Sequence, residues 1–306
     1  MPRGLVWDLI ALDRASPALR RVAGEATATA AAMERTQAKT ASSGKSLAAV
    51  GVTVAKVAAP MILVGGVAVK MAADFQRSMT QIQTQAGASK AEVASFSKAL
   101  LGMAGQVAQS PDALATSLYH VYSALKKVGA DGPQMLNTVR IAAEGAKVGN
   151  TDLEDTTNSL TATLASGIVK FDQAGKAMGY LNAIVGAGDM KFSDLNQALG
   201  TGLLVTMKTF GVSMKDTGAA LAVFGDNNIR GADAATKLRM AVQDLAKPAA
   251  HADDYLSKIG LTSDKLRTSL EQKGLSGALT MLERHLNAAG ITGSKVGGFL
   301  EDAFTK

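Results

Sequence analysis

An all-α fold is the prediction for this 306-residue chain, and three observations carry it. Apolar residues recur at three- and four-residue steps through most of the sequence, the spacing of one helix face. Helix start signals recur ahead of these stripes. No run of four to eight residues alternates with period two and β-branched enrichment, so strand signals are almost absent. The expected architecture has N-terminal extended, oligomerising helices with an apolar hinged segment, then a multi-helix region of short amphipathic helices. It divides into residues 1–46, 47–73, 74–260 and 261–306.

Composition narrows the chemistry. Zero cysteines exclude disulfides and thiolate metal sites. Only 4% of residues are aromatic against 47% hydrophobic overall, so burial comes in small increments from Ala, Val, Leu and Met, and stability must come from many close helix contacts. The net charge of +6 is uneven: residues 1–74 hold nine Lys/Arg and five Asp/Glu. Without a Lys/Arg-rich run or interleaved aromatics, this bias does not make a base-reading domain.

Taken in order, residues 4–13, "GLVWDLIALD", read as a short strand or as the first helical turns, with Trp7 a local packing anchor. Asp8 and Asp13 cut this patch, which is too short and too charged for a secretory leader. Residues 17–41 place Leu19, Val22, Ala26, Ala30 and Met33 on one helical seam. The seam is thin and mostly alanine, and such a helix is marginal alone in water, so its simplest partner is another copy of itself. The "SSGKS" that follows is not a phosphate-binding loop, because Lys39 stands where the leading glycine would be.

From Ser46 to Val69 there is one charge, Lys56, in 24 residues. As one helix that is about 36 Å, enough for a bilayer core. Lys56 opposes insertion, and Pro60 removes a backbone hydrogen bond and acts as a hinge. The uninterrupted apolar part, Val57 to Val69, has the length of a buried core helix or an interfacial segment. Its candidate contact residues are Val57, Met61, Ile62, Leu63, Val64, Val67 and Val69, for burial by a partner or conditional contact with a membrane. Three readings stand: protein-buried, conditionally lipid-seeking, or permanently spanning.

Beyond residue 74, Ser89 with Glu92 forms a capping box, and Ser110 precedes Pro111 as N-cap and first helical residue. "ADGPQ" repeats that arrangement around Pro133, and Thr151 with Glu154 and Ser213 with Asp216 repeat the capping box. "GLTSDKL" opens a helix near 263. The stripes are Val93, Phe96, Leu100, Met103, Val107; Leu114, Leu118, Val121, Leu125, Val128; Leu153, Thr157, Leu160, Leu164; and Leu279, Leu282, Leu286. Glycines at 102, 105, 167, 175, 179, 200 and 202 fall inside these helical patterns, where each costs up to about 1 kcal/mol relative to alanine.

Catalytic constellations are thin. His120, His251 and His285 lie in no metal-ligand spacing. In "HADD", Asp253 and Asp254 read as helix N-terminal charge. No nucleophile elbow, dinucleotide fingerprint or calcium loop occurs, so no catalytic, cofactor-binding or metal residue is assigned.

The order of these pieces resembles the N-terminal conserved region of phage tail tape measure proteins. A weak helical lead-in precedes "SGKSLAAVGVTVAKVAAPMILVGGVAVKMAADFQRSMTQIQTQAGASKAEVASFSKAL", with Lys70, Asp74, Phe75 and Met79 in place. "QSPDALATSLYHVYSALKKVGADGPQML" resembles the family's next helix pair. "FGVSMKDTGAALAVFGDNNIRGADAATKLRMAVQDLAKP" resembles its closing block, with a G-x-S turn, a helix, an N-x-x-I-R-G turn and a second helix. The likeness runs from about 42 to 260, so residues 74–260 read as a tape-measure-like helical domain.

The resemblance implies a structural virion protein that templates tail-tube length, fills the tube lumen and leaves at genome ejection. It implies no enzyme activity and no cofactor. The partners it implies are other copies of the chain in a small homo-oligomer, a trimer, together with the tail tube protein, tail-tip or hub proteins, and tail-assembly chaperones. The host membrane joins them during ejection, and sequence-specific nucleic-acid binding is not implied. The place is inside the tail tube of the virion, after synthesis in the host cytoplasm. Relatives of this kind are far longer, so the chain is expected to be an N-terminal portion of a longer protein or a short relative. The alternative is a membrane-active, pore-forming or holin-like helical protein inserting residues 47–69.

Overall fold

A computed structural model describes residues 67–305, and these residues form helices and turns with no strand among them. The all-α expectation holds. The described residues fall into two compact units, one of 67–165 with 170–179 and one of 166–169 with 180–305.

The first unit contains α1 (Val67–Thr84), α2 (Lys90–Val107), α3 (Pro111–Leu125), α4 (Gly132–Gly149) and α5 (Leu153–Ala165). Helix α3 is its hub and packs against α1, α2, α4 and α5. Most of the starts are those written in the sequence. The Ser89 hydroxyl accepts the Glu92 amide at 3.2 Å while the Glu92 carboxylate accepts the Ser89 amide at 2.8 Å, a complete capping box. Ser110 caps α3 with Pro111 as its first residue. Asp131 and Gln134 exchange the same pair of bonds at α4.

Two local expectations fail for identifiable reasons. Helix α5 is capped by Asp152, whose carboxylate takes the Glu154 amide at 2.7 Å, and not by Thr151. The Thr151 amide is already used to close the end of α4 on the Ala146 carbonyl. Val128 leaves the stripe of Leu114, Leu118, Val121 and Leu125 because α3 tightens into a 3-10 turn, Lys126–Val128, and presents Val128 to solvent.

Helix α6 (Ala174–Ala187) follows the 3-10 turn Phe171–Gln173, and its residues up to 179 belong to the first unit and those from 180 to the second. The second unit continues with α7 (Phe192–Gly200), α8 (Leu203–Thr209), α9 (Met214–Asp226), α10 (Gly231–Ala246), α11 (Ala252–Lys258), α12 (Ser263–Ala288) and α13 (Ser294–Thr305). Helix α10 is the hub here, meeting α7, α8, α9 and α12. Ser213 caps α9 by accepting the Asp216 amide at 3.0 Å, the forward half of the expected capping box, and Thr262 caps α12. Gly167 and Gly202, which the periodicity had placed within helices, instead take left-handed backbone between elements. In the stripe of Leu279, Leu282 and Leu286, the last two are buried and Leu279 is half-buried, with Leu275 and Ala278 completing the buried face.

Close approach accounts for some of the remaining glycines. A Cβ on Gly188 would stand 2.7 Å from the Ala222 Cα and 2.9 Å from its carbonyl oxygen, so the turn after α6 touches the backbone of α9. A Cβ on Gly145 would overlap the buried Met178 side chain, with its Cγ at 2.5 Å, and no backbone atom.

Candidate functional site

Three side-chain clusters fix the helices and turns of the two units. The first docks α1. Phe75, Met79 and Ile82 recur at helical spacing and are buried toward α3, which explains why "ADFQRSM" combines a Phe and a Met four residues apart. The Ser78 hydroxyl donates to the Asp112 carboxylate at 2.8 Å, tying α1 to the first turn of α3. Asp74 pairs with Arg77 at 3.1 Å on the outer side. Lys70 to Ala73 are exposed on all sides, so α1 reaches beyond its own docking contacts toward the apolar segment.

The second cluster surrounds Glu92. Its carboxylate accepts the Ser89 amide, lies 3.4 Å from the Lys126 ammonium, and receives the Tyr122 hydroxyl at 3.4 Å. The Ser89 amide, then the Ser89 hydroxyl and Lys126, hold its pKa below the ordinary value of 4.5. Lys126 is shifted upward, chiefly by the Tyr122 oxygen and then by Glu92. Phe96 packs edge-on against Tyr122, so the capping residue, an aromatic pair and a cation share one corner.

The third cluster is built on the N-x-x-I-R-G turn. The Arg230 guanidinium donates to the Asp189 carboxylate and carbonyl oxygens, both at 2.5 Å, and to the Asn228 side chain at 3.3 Å. The Asp189 amide donates to the Asp226 carboxylate at 3.1 Å. This clasp joins the turn after α6 to the turn between α9 and α10, beside the Gly188–Ala222 contact. Sequence reasoning singled out the turn but not Asp189, which lies 41 residues away. Nothing local to either strand of sequence announces that pairing.

Two of the three histidines and the two aspartates of "HADD" make local structural contacts, while the buried Nε2 of His251 has no hydrogen-bond partner. His285 Nδ1 lies 2.9 Å from the Ile259 carbonyl, and His120 stacks edge-on against Tyr119. Asp253 and Asp254 sit in the first turn of α11, as expected. Asp253 does more: it accepts the Ser263 amide at 2.8 Å, linking α11 to the start of α12, and that bond lowers its pKa. Among the described residues, no group of three or more His, Asp and Glu could hold a metal ion.

Of the candidate site residues, Leu19, Val22, Ala26, Ala30, Met33, Val57, Pro60, Met61, Ile62, Leu63 and Val64 lie outside the described residues. Val67 and Val69 belong to the start of α1. That helix runs from the apolar segment across residue 74 without interruption. Among the described residues, no helix is long and apolar enough to cross a membrane.

Residues 104–304, from the end of α2 into α13, match the model of the family described as phage-related minor tail protein. The chain belongs to this family. The tail protein is also similar to the tape measure protein of Pneumococcus phage Dp-1, with 23% identity over 212 residues. That alignment covers 69% of the chain and 18% of the relative, so the chain spans less than a fifth of that relative's length. No solved structure matches it. The likeness to tape measure proteins read from the residues therefore stands, and the all-helical units are those of a structural protein of a phage tail.

Proposed function

We propose that this chain is part of a tail tape measure: it templates the length of the tail tube, occupies the lumen and is released at genome ejection. The observation that carries the reading is the family match over 104–304 together with the likeness to a protein named as a tape measure. A helical chain is a physical ruler, because each residue adds about 1.5 Å of rise. The described residues, helical almost throughout, have the secondary structure that such a ruler uses.

The partners under this reading are other copies of the chain in a homotrimer, the tail tube protein, the tail-tip or hub proteins and the assembly chaperones. The thin seam of Leu19, Val22, Ala26, Ala30 and Met33 suits self-association. The segment hinged at Pro60 is covered by neighbouring protein in the particle and meets the host membrane only at ejection. Helix α1 begins at Val67, within the apolar segment, and its residues 70–73 are exposed, so this end of the helix is open to a covering partner.

Cross-linking tests this. The chain has no cysteine, so Leu101→Cys and Val205→Cys, both at exposed apolar positions, give single attachment points in otherwise intact phage. The expected products are adducts with the tube-forming protein and with other copies of the chain. Adducts confined to lipid or to membrane fractions of the host would overturn the reading in favour of a membrane-active protein.

A further inference from the structure

Helix α12 (Ser263–Ala288) carries a contradiction in its sequence that its backbone resolves. A helix turns about 100° per residue. Measured from Leu266, the buried Ser269 and Leu270 lie within about 60° of it on a straight helix. The buried Leu275, Ala278, Leu282 and Leu286 would fall between about 120° and 200°. The two apolar stripes therefore face opposite sides of a continuous helix, and no single core could take both. The backbone breaks at Gly274, with φ 71° and ψ −171°, and this one rotation turns the second stripe back into the same unit. Only glycine occupies that region without strain. The Asp216 carboxylate, in the first turn of α9, stands 2.5 Å from where a Cβ on Gly274 would be.

We infer that Ser263–Ala288 is a two-state element with Gly274 as its fulcrum: bent in the folded unit, and a single straight helix once the second stripe leaves the core. Gly274 alone has a non-helical backbone between the two helical halves, so the states differ at one residue. The bent state is held by burial of Leu275, Ala278, Leu282 and Leu286. The straight state gains the backbone hydrogen bonds that the break interrupts. Glycine visits both conformations readily, whereas alanine at 274 favours the helical one.

The absence of cysteine makes the test direct. Thr268→Cys and Asn287→Cys, at exposed positions of the two halves, accept a pair of nitroxide labels. In a straight helix these positions are about 28 Å apart along the axis. The otherwise unaltered chain is expected to give one shorter distance. Gly274→Ala, and independently the pair Leu282→Ala with Leu286→Ala, should each raise a population near 28 Å. If both variants keep the short distance, or give only the broad distribution of an unfolded segment, the two-state reading is overturned.

Discussion

The two units fill their helical cores with different chemistry. Among the described residues, the first buries eight Ser and Thr side chains, Ser78, Ser117, Thr138, Thr156, Thr157, Ser159, Thr161 and Thr163, and the second buries two, Thr217 and Ser269. Five of the eight lie on α5, which is buried over most of its surface although Thr is a poor helix former. Several are satisfied by bonding back to their own helix, as Thr156 does to the Asp152 carbonyl and Thr163 to that of Ser159. Thr157 and Ser117 join α5 to α3 through their hydroxyls. The second unit uses aliphatic stripes and a glycine that admits backbone contact. One unit thus positions its helices through hydroxyls set in a tight core. The other does so through backbone proximity and the exposed Arg230 clasp.

The largest test of this contrast is at the glycines. Gly188→Ala places a Cβ against the backbone of Ala222, which cannot yield, and should cost about 1–3 kcal/mol in chemical denaturation. Gly145→Ala overlaps the buried Met178 side chain from its Cγ outward, but that side chain can change rotamer and about 1 kcal/mol of helix propensity is regained, so its loss should be smaller than at Gly188. Equal losses at the two sites would remove the distinction between them.

Next come the hydroxyls without hydrogen-bond partners. Ser159 and Thr161 on α5 each bury one. Ser159→Ala and Thr161→Val should each stabilise the chain by about 1 kcal/mol in thermal melts, because an unpaired buried donor is removed at little cost in shape. Thr157→Val should do the opposite, since it strands the Ser117 hydroxyl.

Acid should act on a carboxylate in each unit. Glu92 and Asp253 both have lowered pKa values in the folded chain, so each adds stability above its unfolded pKa and loses it as pH falls through the lower folded value. For Glu92 the window lies below 4.5. Because this carboxylate is exposed, Glu92→Gln should cost about 0.5 kcal/mol at neutral pH and flatten the acid limb of the melting curve. Asp253→Asn should flatten it in the same direction. A steeper acid limb in either variant would contradict the sign.

Much of this fold is legible in the residues because helix starts are local. Ser89, Ser110, Asp131, Ser213 and Thr262 each solve a problem within four residues of themselves, and all five cap the helices they precede. Where two local solutions compete the reading slips, as when Asp152 displaces Thr151 after the latter's amide closes α4. What the residues could not disclose is set by distance along the chain. Arg230 finds Asp189 across 41 residues and Asp253 finds the Ser263 amide across ten. Gly274 looks like any glycine in a helical stripe until the faces on either side of it are compared.

The proposed ruler makes tail length depend on the length of the chain. In phage whose parent protein lacks Ser263–Ala288, a 26-residue helix, electron microscopy should show tails shorter by up to about 39 Å, and a duplication of the same residues should lengthen them by as much. Tails of unchanged length in both phages would contradict it.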